Sequence, residues 1–486
     1  MVAVSLIDGP VPWLVGLTAV VAFVAGLVGL GWAWCRRWLP WLLGGSVLIT
    51  MAAVYGVHHV GGLIGDETDE YPMAVNVIAG CAVVAVGTTA ASWRQHGWDR
   101  RVLTGLAAVL LVVFAGDQLA IRYGYPADLT ALFNLEVPGA TPYTTNPSTT
   151  IPSTTVSSTT PTSLIGPARS APTAPFRSTA GPAPASSTNA PTPTTTVAVT
   201  TTVGPGASIE NGWQPPLGLP AHGQVLADVT IPATVSGFAA RTAYVYLPPA
   251  YTATTHPALP VLVLLPGIPG QPKNWLVGLD AHHVYDEYAA HHHGLAPILV
   301  FPDYTGGLTD DKGCIDSPEG AVETYLTRDV PAFIQATFAP ASGPGRWGIG
   351  GFSDGGTCAL VLGLRHPDLY GTIIDYSGDL GPNTNGNTAR YIDRFLAGNP
   401  DLYPAHDPTS LLAAHPYPAT TALWLEAGTD EPRKQADLVR IAAIARTNNI
   451  TVELVTKPGR HNFTFWRQCV TDTPDWIGHH LGLTTG

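Results

Sequence analysis

Charge is scarce in this chain. Of its 486 residues only 12% are Asp, Glu, Lys or Arg, and just four are lysines, Lys273, Lys312, Lys434 and Lys457. The formal net charge is −12. Without a basic patch to neutralise phosphates, nucleic acid is excluded as a partner. Cysteine is also scarce, with five in all. Cys35 and Cys81 fall in apolar stretches and read as packing residues. Cys314, Cys358 and Cys469 fall in the C-terminal half, where an odd number leaves at least one free or paired elsewhere. No Cys/His spacing points to zinc, and no cofactor or metal is expected.

What the chain has instead is apolar surface, unevenly placed. Four stretches near residues 11–34, 39–60, 73–93 and 102–123 are each long enough to cross a hydrocarbon core of ~30 Å. The first lacks a basic leader and is followed by three more, so a membrane domain over 1–125 is expected rather than a cleaved signal. Arg36, Arg37, Arg94, Arg100 and Arg101 fall in the first and third connections, whereas Asp66, Glu67, Asp69 and Glu70 fall in the second. The positive-inside rule then places both termini outside the cell membrane. His58, His59 and Asp117 lie near the outer ends of the spans, where polar side chains reach headgroups cheaply.

Residues 126–207 follow as an expected disordered linker, dominated from about residue 138 by Thr, Pro, Ser and Ala. Such a segment cannot bury a core. Some seventy residues of polyproline-like chain span on the order of 100–200 Å, enough to carry a domain across a thick envelope. Its hydroxyl-dense, Pro-rich composition is also that of O-glycosylated stalks.

From 208 to 486 the pattern changes again. Short β-branched or aromatic runs at 243–247, 261–265, 298–301, 346–350, 372–375, 423–427 and 452–455 alternate with helical patterns. That alternation predicts a mostly parallel sheet with flanking helices, the α/β-hydrolase fold. Within it, Gly351-Phe352-Ser353-Asp354-Gly355 is a G-x-S-x-G sequence after a short apolar run and before an apolar helical stretch closed by His366-Pro367. This is the context of a nucleophile elbow, whose tight turn needs small residues two positions on either side of the serine.

A serine hydroxyl needs a histidine base and a carboxylate that orients the imidazole, and in this fold they follow in the order serine, acid, histidine. His461 follows the strand at 452–455, and Asp430 follows the strand at 423–427. These two are assigned as base and acid; Glu431 next door, and Asp375 and Asp379 after an earlier strand, compete for the acid. The other histidines are placed less well: His366 ends the nucleophile helix, His479 and His480 lie on the last helix, and His282, His283, His291, His292 and His293 precede the serine without an acidic partner at metal-binding spacing. The oxyanion hole needs two backbone N–H groups, expected from Asp354 and from Ile268 in the turn Pro266-Gly267-Ile268-Pro269-Gly270. A charge on Asp354 about 6 Å from the oxyanion would cost roughly 1–3 kcal/mol, so the side chain is expected to turn aside to a neighbouring loop or to select a cationic substrate. A disulfide is expected between Cys314 and Cys358, with Cys314–Cys469 as the alternative, because a loop after a strand and the first turns of the nucleophile helix both reach the active-site rim.

Tyr244–Pro249, the Gly-rich turn followed by Trp275, Phe301-Pro302-Asp303, Val322–Pro331, the GFSDGG elbow and His461 with Trp466 together resemble the putative-esterase family. That family groups S-formylglutathione hydrolases, enterochelin esterases and secreted mycolyltransferases of actinobacterial envelopes. The resemblance covers about residues 220–483 and departs from the family at Asp354 and in the polar loop 304–316. It implies a serine esterase or acyltransferase acting on envelope lipids or other esters, here on a membrane anchor. The rival expectation is an inactive hydrolase-like module that binds lipid or glycan.

Overall fold

The computed structural model describes Val137, residues 139–144 and residues 208–485 other than 344, 385 and 415. The four apolar stretches and most of the segment 126–207 lie outside the described residues. No helix among the described residues is long and apolar enough to cross a membrane.

Among the described residues eleven strands occur in chain order: β1 (Thr141–Pro142), β2 (Gln224–Val229), β3 (Ala243–Leu247), β4 (Val261–Leu265), β5 (Ile298–Phe301), β6 (Asp316–Ser317), β7 (Gly320–Ala321), β8 (Trp347–Phe352), β9 (Thr372–Tyr376), β10 (Ala422–Gly428) and β11 (Thr451–Lys457). Nine of them form one sheet in the order β1-β2-β3-β5-β4-β8-β9-β10-β11, and β6 pairs with β7 in a small hairpin. From β5 through β11 every neighbouring pair in the large sheet is parallel, whereas β3 pairs antiparallel with both β2 and β5. The expected mostly parallel sheet is present.

Parallel strands need crossovers, and these are the helices: α1 (Ala281–His291), α2 (Val330–Phe338), α3 (Asp354–Arg365), α4 (Thr388–Phe395), α5 (Pro408–Ala414), α6 (Pro432–Thr447), α7 (Phe463–Asp472) and α8 (Pro474–His480). Covered on both faces, the central strands β4, β5, β8, β9 and β10 are buried at every residue. Their unbroken apolar character follows from that burial. β11 is the edge, and each of its residues is intermediate or exposed. Each fully buried Leu, Ile, Val or Phe of this core contributes about 1.5–3 kcal/mol relative to exposure.

One boundary moves. Thr141 and Pro142, inside the segment assigned to the linker, pair in parallel with Leu226 and Ala227 of β2. The Tyr143 N–H donates to the Ala227 carbonyl at 2.8 Å, and Val137 is buried in the main core. A Thr/Pro-rich composition hides this docking, because it rests on a few backbone bonds and the side chains of Val137, Ala140 and Tyr143 rather than on a periodic pattern.

Candidate active site

The parallel strands all point the same way, so the loops at their carboxyl ends gather at one edge of the sheet, where ligands bind in open α/β folds. Ser353 sits there, between β8 and α3. Its φ of 57° and ψ of −128° place a non-glycine residue in left-handed backbone, which costs on the order of 1–3 kcal/mol and persists only where the surroundings hold it. They do: the Ser353 N–H donates to the Tyr376 carbonyl at 2.8 Å, and the Ser353 carbonyl accepts from Gly356 and Thr357. A Cβ on Gly351 would collide with the Gly355 carbonyl, and one on Gly355 with the carbonyls of Leu265 and Pro266. Both flanking glycines are therefore required by close approach.

His461 follows β11. Its Nε2 lies 2.8 Å from Ser353 Oγ, and its Nδ1 lies 2.7 Å from Glu431 Oε1. An edge-on contact with Trp466, 4.8 Å between centroids, braces the ring from the side. Below, Phe352 packs against Trp275, Phe463 and Trp466. One aromatic cluster thus supports the strand that ends at the serine and the segment that carries the histidine.

The carboxylate beside His461 is Glu431, not the expected Asp430. The Asp430 side chain is 48% exposed and faces Arg460 at 3.6 Å, whereas that of Glu431 is 1% exposed. The turn after β10 decides this: the Glu431 N–H closes back on the Gly428 carbonyl, and Pro432 opens α6 immediately afterwards. Residue 431 is left at the base of the turn, facing inward, and residue 430 at its tip. Glu431 Oε2 accepts from the Gly428 N–H and from Ser377 Oγ, both at 2.9 Å, leaving Oε1 for the imidazole. Sequence reasoning missed Ser377, whose only signal was its place just after β9. The proline after Glu431 was the clue that set it at the helix start.

The other candidate acids are occupied differently. Asp379 pairs with Lys434 at 2.5 Å and Arg433 at 3.3 Å and accepts from Asn383. Burial alone would raise its pKa, but Lys434, Asn383 and Arg433 bring it down to about 2. Asp375 lies under α3, fully buried, with Oδ1 accepting from the Gly378 N–H. Burial, only partly offset by that bond and by Lys434, pushes it up to about 7.

The turn 266–270 lies against the serine: a Cβ on Gly267 would sit 3.0 Å from Ser353 Cβ. Among the backbone hydrogen bonds of the described residues, none uses the N–H of Ile268 or of Asp354. Arg241 holds the turn's far end, donating to the Gly270 carbonyl while making a paired contact with the fully buried Asp303. The Asp354 side chain turns to the loop after β5, with Oδ2 at 2.9 Å from the Tyr304 hydroxyl. Cys314 and Cys358 are disulfide-bonded, tying that loop to α3, and Cys469 is a buried free thiol. The histidine group before the serine does have an acidic neighbour: Asp280 Oδ1 lies 2.7 Å from His283 Nδ1 and 3.8 Å from His282 Nδ1. Asp280 has left-handed backbone at the start of α1, and spacing alone did not reveal the contact.

A nucleophile elbow hydrogen-bonded to a histidine, itself bonded to a buried carboxylate, on a mostly parallel sheet defines a domain of the α/β-hydrolase class. Residues 239–476 match the model of the putative-esterase family. An uncharacterized protein of Corynebacterium glutamicum is 36% identical over 256 residues, 51% of this chain and 60% of that protein. The chain thus spans less than two thirds of that curated relative's length. Among solved structures, an S-formylglutathione hydrolase from Agrobacterium tumefaciens is 18% identical, with a TM-score of 0.46, over 54% of this chain and 97% of that one. The fluorophosphonate-binding serine hydrolase F of Staphylococcus aureus is 16% identical, with a TM-score of 0.42, over 53% and 98%.

Proposed function

We propose that the protein is a membrane-anchored, extracytoplasmic serine esterase or acyltransferase in which Ser353, His461 and Glu431 form the catalytic triad. The substrates are envelope lipids or other carboxylic esters. The observation that carries the reading is the continuous relay from Ser353 Oγ through His461 to Glu431, at 2.8 and 2.7 Å. Glu431 holds the proton of the neutral imidazole on Nδ1, leaving Nε2 free to take the serine proton as Oγ attacks the ester carbonyl. The N–H groups of Ile268 and Asp354 face the developing oxyanion, a role worth about 2.7–4 kcal/mol per donor. Protonated His461 then gives its proton to the departing alcohol, leaving an acyl group on Ser353. Water or a second alcohol, deprotonated by the same imidazole, releases it.

The anchor and the outward orientation rest on the four apolar stretches and on their flanking charges. The test is labelling of intact cells with a membrane-impermeant fluorophosphonate. Labelling of the wild type and none of Ser353→Ala is expected. Labelling only after lysis would refute the orientation, and no labelling in either state would favour the inactive binding module.

A further inference from the structure

Asp354 follows the nucleophile, so an ionised carboxyl on it would oppose the oxyanion. Its partner resolves the conflict. The Tyr304 hydroxyl is within 2.9 Å of two oxygens, Asp354 Oδ2 and the Pro266 carbonyl. A phenol has one proton, and a carbonyl oxygen can only accept. If Tyr304 donates to Pro266, the contact with Asp354 needs its proton from the acid. With an ionised Asp354, two acceptors would compete for one hydrogen, and one of them would stay unsatisfied beside the buried Tyr304, which costs about 1–3 kcal/mol.

We propose that Asp354 is a positioning residue: its neutral carboxyl donates to Tyr304, Tyr304 donates to the Pro266 carbonyl, and the two bonds lock together the segments carrying the Asp354 and Ile268 amides. The proposal rests on the oxyanion role given to those amides above. Pro266 lies two residues before Ile268, and Arg241 holds the Gly270 carbonyl two residues after it, so the turn is fastened on both sides. Asp303, paired with Arg241, precedes Tyr304 directly, so the same ion pair sets the tyrosine.

The surroundings favour the neutral acid. Burial and the charge of Asp311 in the 304–316 loop push Asp354 up to about 7, against the effect of the Tyr304 contact. Asp379 after β9 adds to the rise, and Lys434 of α6 opposes it. Tyr391 of α4 also faces this group, and burial raises the phenol well above its ordinary range, so it stays neutral. Ionisation of Asp354 would at once break the donor order and place a charge beside the oxyanion.

The test uses the full chain in detergent with para-nitrophenyl butyrate, a neutral ester. In the wild type kcat is expected to fall about tenfold as pH rises through about 7, a barrier change of about 1.4 kcal/mol, with KM little altered. Asp354→Asn keeps a donor for Tyr304 and cannot ionise, so its profile should lack that fall. Tyr304→Phe should lower kcat at every pH. In infrared difference spectra across the same pH range, the wild type should lose protonated-carboxyl absorption from both Asp354 and Asp375, and Asp354→Asn only that of Asp375. Equal alkaline falls in wild type and Asp354→Asn, or identical carboxyl difference bands, would overturn the proposal. So would an Asp354→Asn defect confined to a cationic ester, which would make the residue a substrate contact. A wild type that neither turns over ester nor reacts with fluorophosphonate would refute the proposed function instead, and the infrared comparison would still read the protonation of Asp354.

Discussion

At the scale of single residues, the contact between Ser353 and His461 was legible in the sequence, and the carboxylate that meets the histidine was not. Ser353 is marked by the two glycines its backbone demands, and His461 by its place after the last strand. That carboxylate was one of two adjacent ones, and only the closure of the Gly428–Glu431 turn sends Glu431 inward and Asp430 to solvent. This difference is directly measurable. Glu431→Gln should lower kcat by about 10³–10⁴-fold with little change in KM, because the wrong imidazole tautomer is favoured and the imidazolium loses its partner. Asp430→Asn should leave kcat within about twofold, as expected of an exposed side chain. A strong defect in Asp430→Asn with a mild one in Glu431→Gln would reverse the assignment. Ser353→Ala and His461→Ala should each cost on the order of 10³-fold or more and, made together, little beyond either alone, since triad members act as a unit. Additive losses in the double variant would argue against a shared relay.

At the scale of elements, the buried parallel strands were read to within about two residues because both faces are covered and their apolar runs are unbroken. β4 and β5 coincide with the runs at 261–265 and 298–301, and β8 extends two residues beyond its run to Phe352. β1 and β2 were missed for the opposite reason. They lie at the edge, where a two-residue strand and the irregular pairing of β2 with β3 leave no periodicity to detect. The disulfide acts at this scale, since it closes a loop of 44 residues containing β6, β7, α2 and β8. Chain entropy alone gives such a cross-link about 4 kcal/mol through the unfolded state. Cys314→Ser should therefore lower Tm clearly under oxidising conditions, and reductant should bring the wild type down to the variant. Equal Tm values for the oxidised wild type and Cys314→Ser would show that the bond adds no stability.

At the scale of the whole molecule, low charge leaves the described domain with buried ionisable groups whose effects on stability oppose one another. Burial and then Arg365 lower His406 to about 4, so it loses stability as pH falls below its ordinary range. Asp379, held at about 2 mainly by Lys434 against the effect of burial, contributes stability above the usual carboxylate range and loses it as pH falls through about 2. Asp375 works in the other direction. Its folded pKa of about 7 lies above the unfolded value, so the native state holds a proton that the unfolded chain gives up. The cost is absent below about pH 4, grows as pH rises toward 7 and is then constant, reaching at most about 4 kcal/mol. Asp375→Asn removes that titration and keeps an oxygen for the Gly378 N–H. Relative to wild type, the variant should gain stability steadily between about pH 4 and pH 7 and hold a constant difference above that. Unfolding of both full-length proteins by urea at several pH values measures it. Parallel stability curves would mean that Asp375 is already ionised when folded, and the buried charge would then have to be balanced by Lys434 across the same layer that holds Asp379.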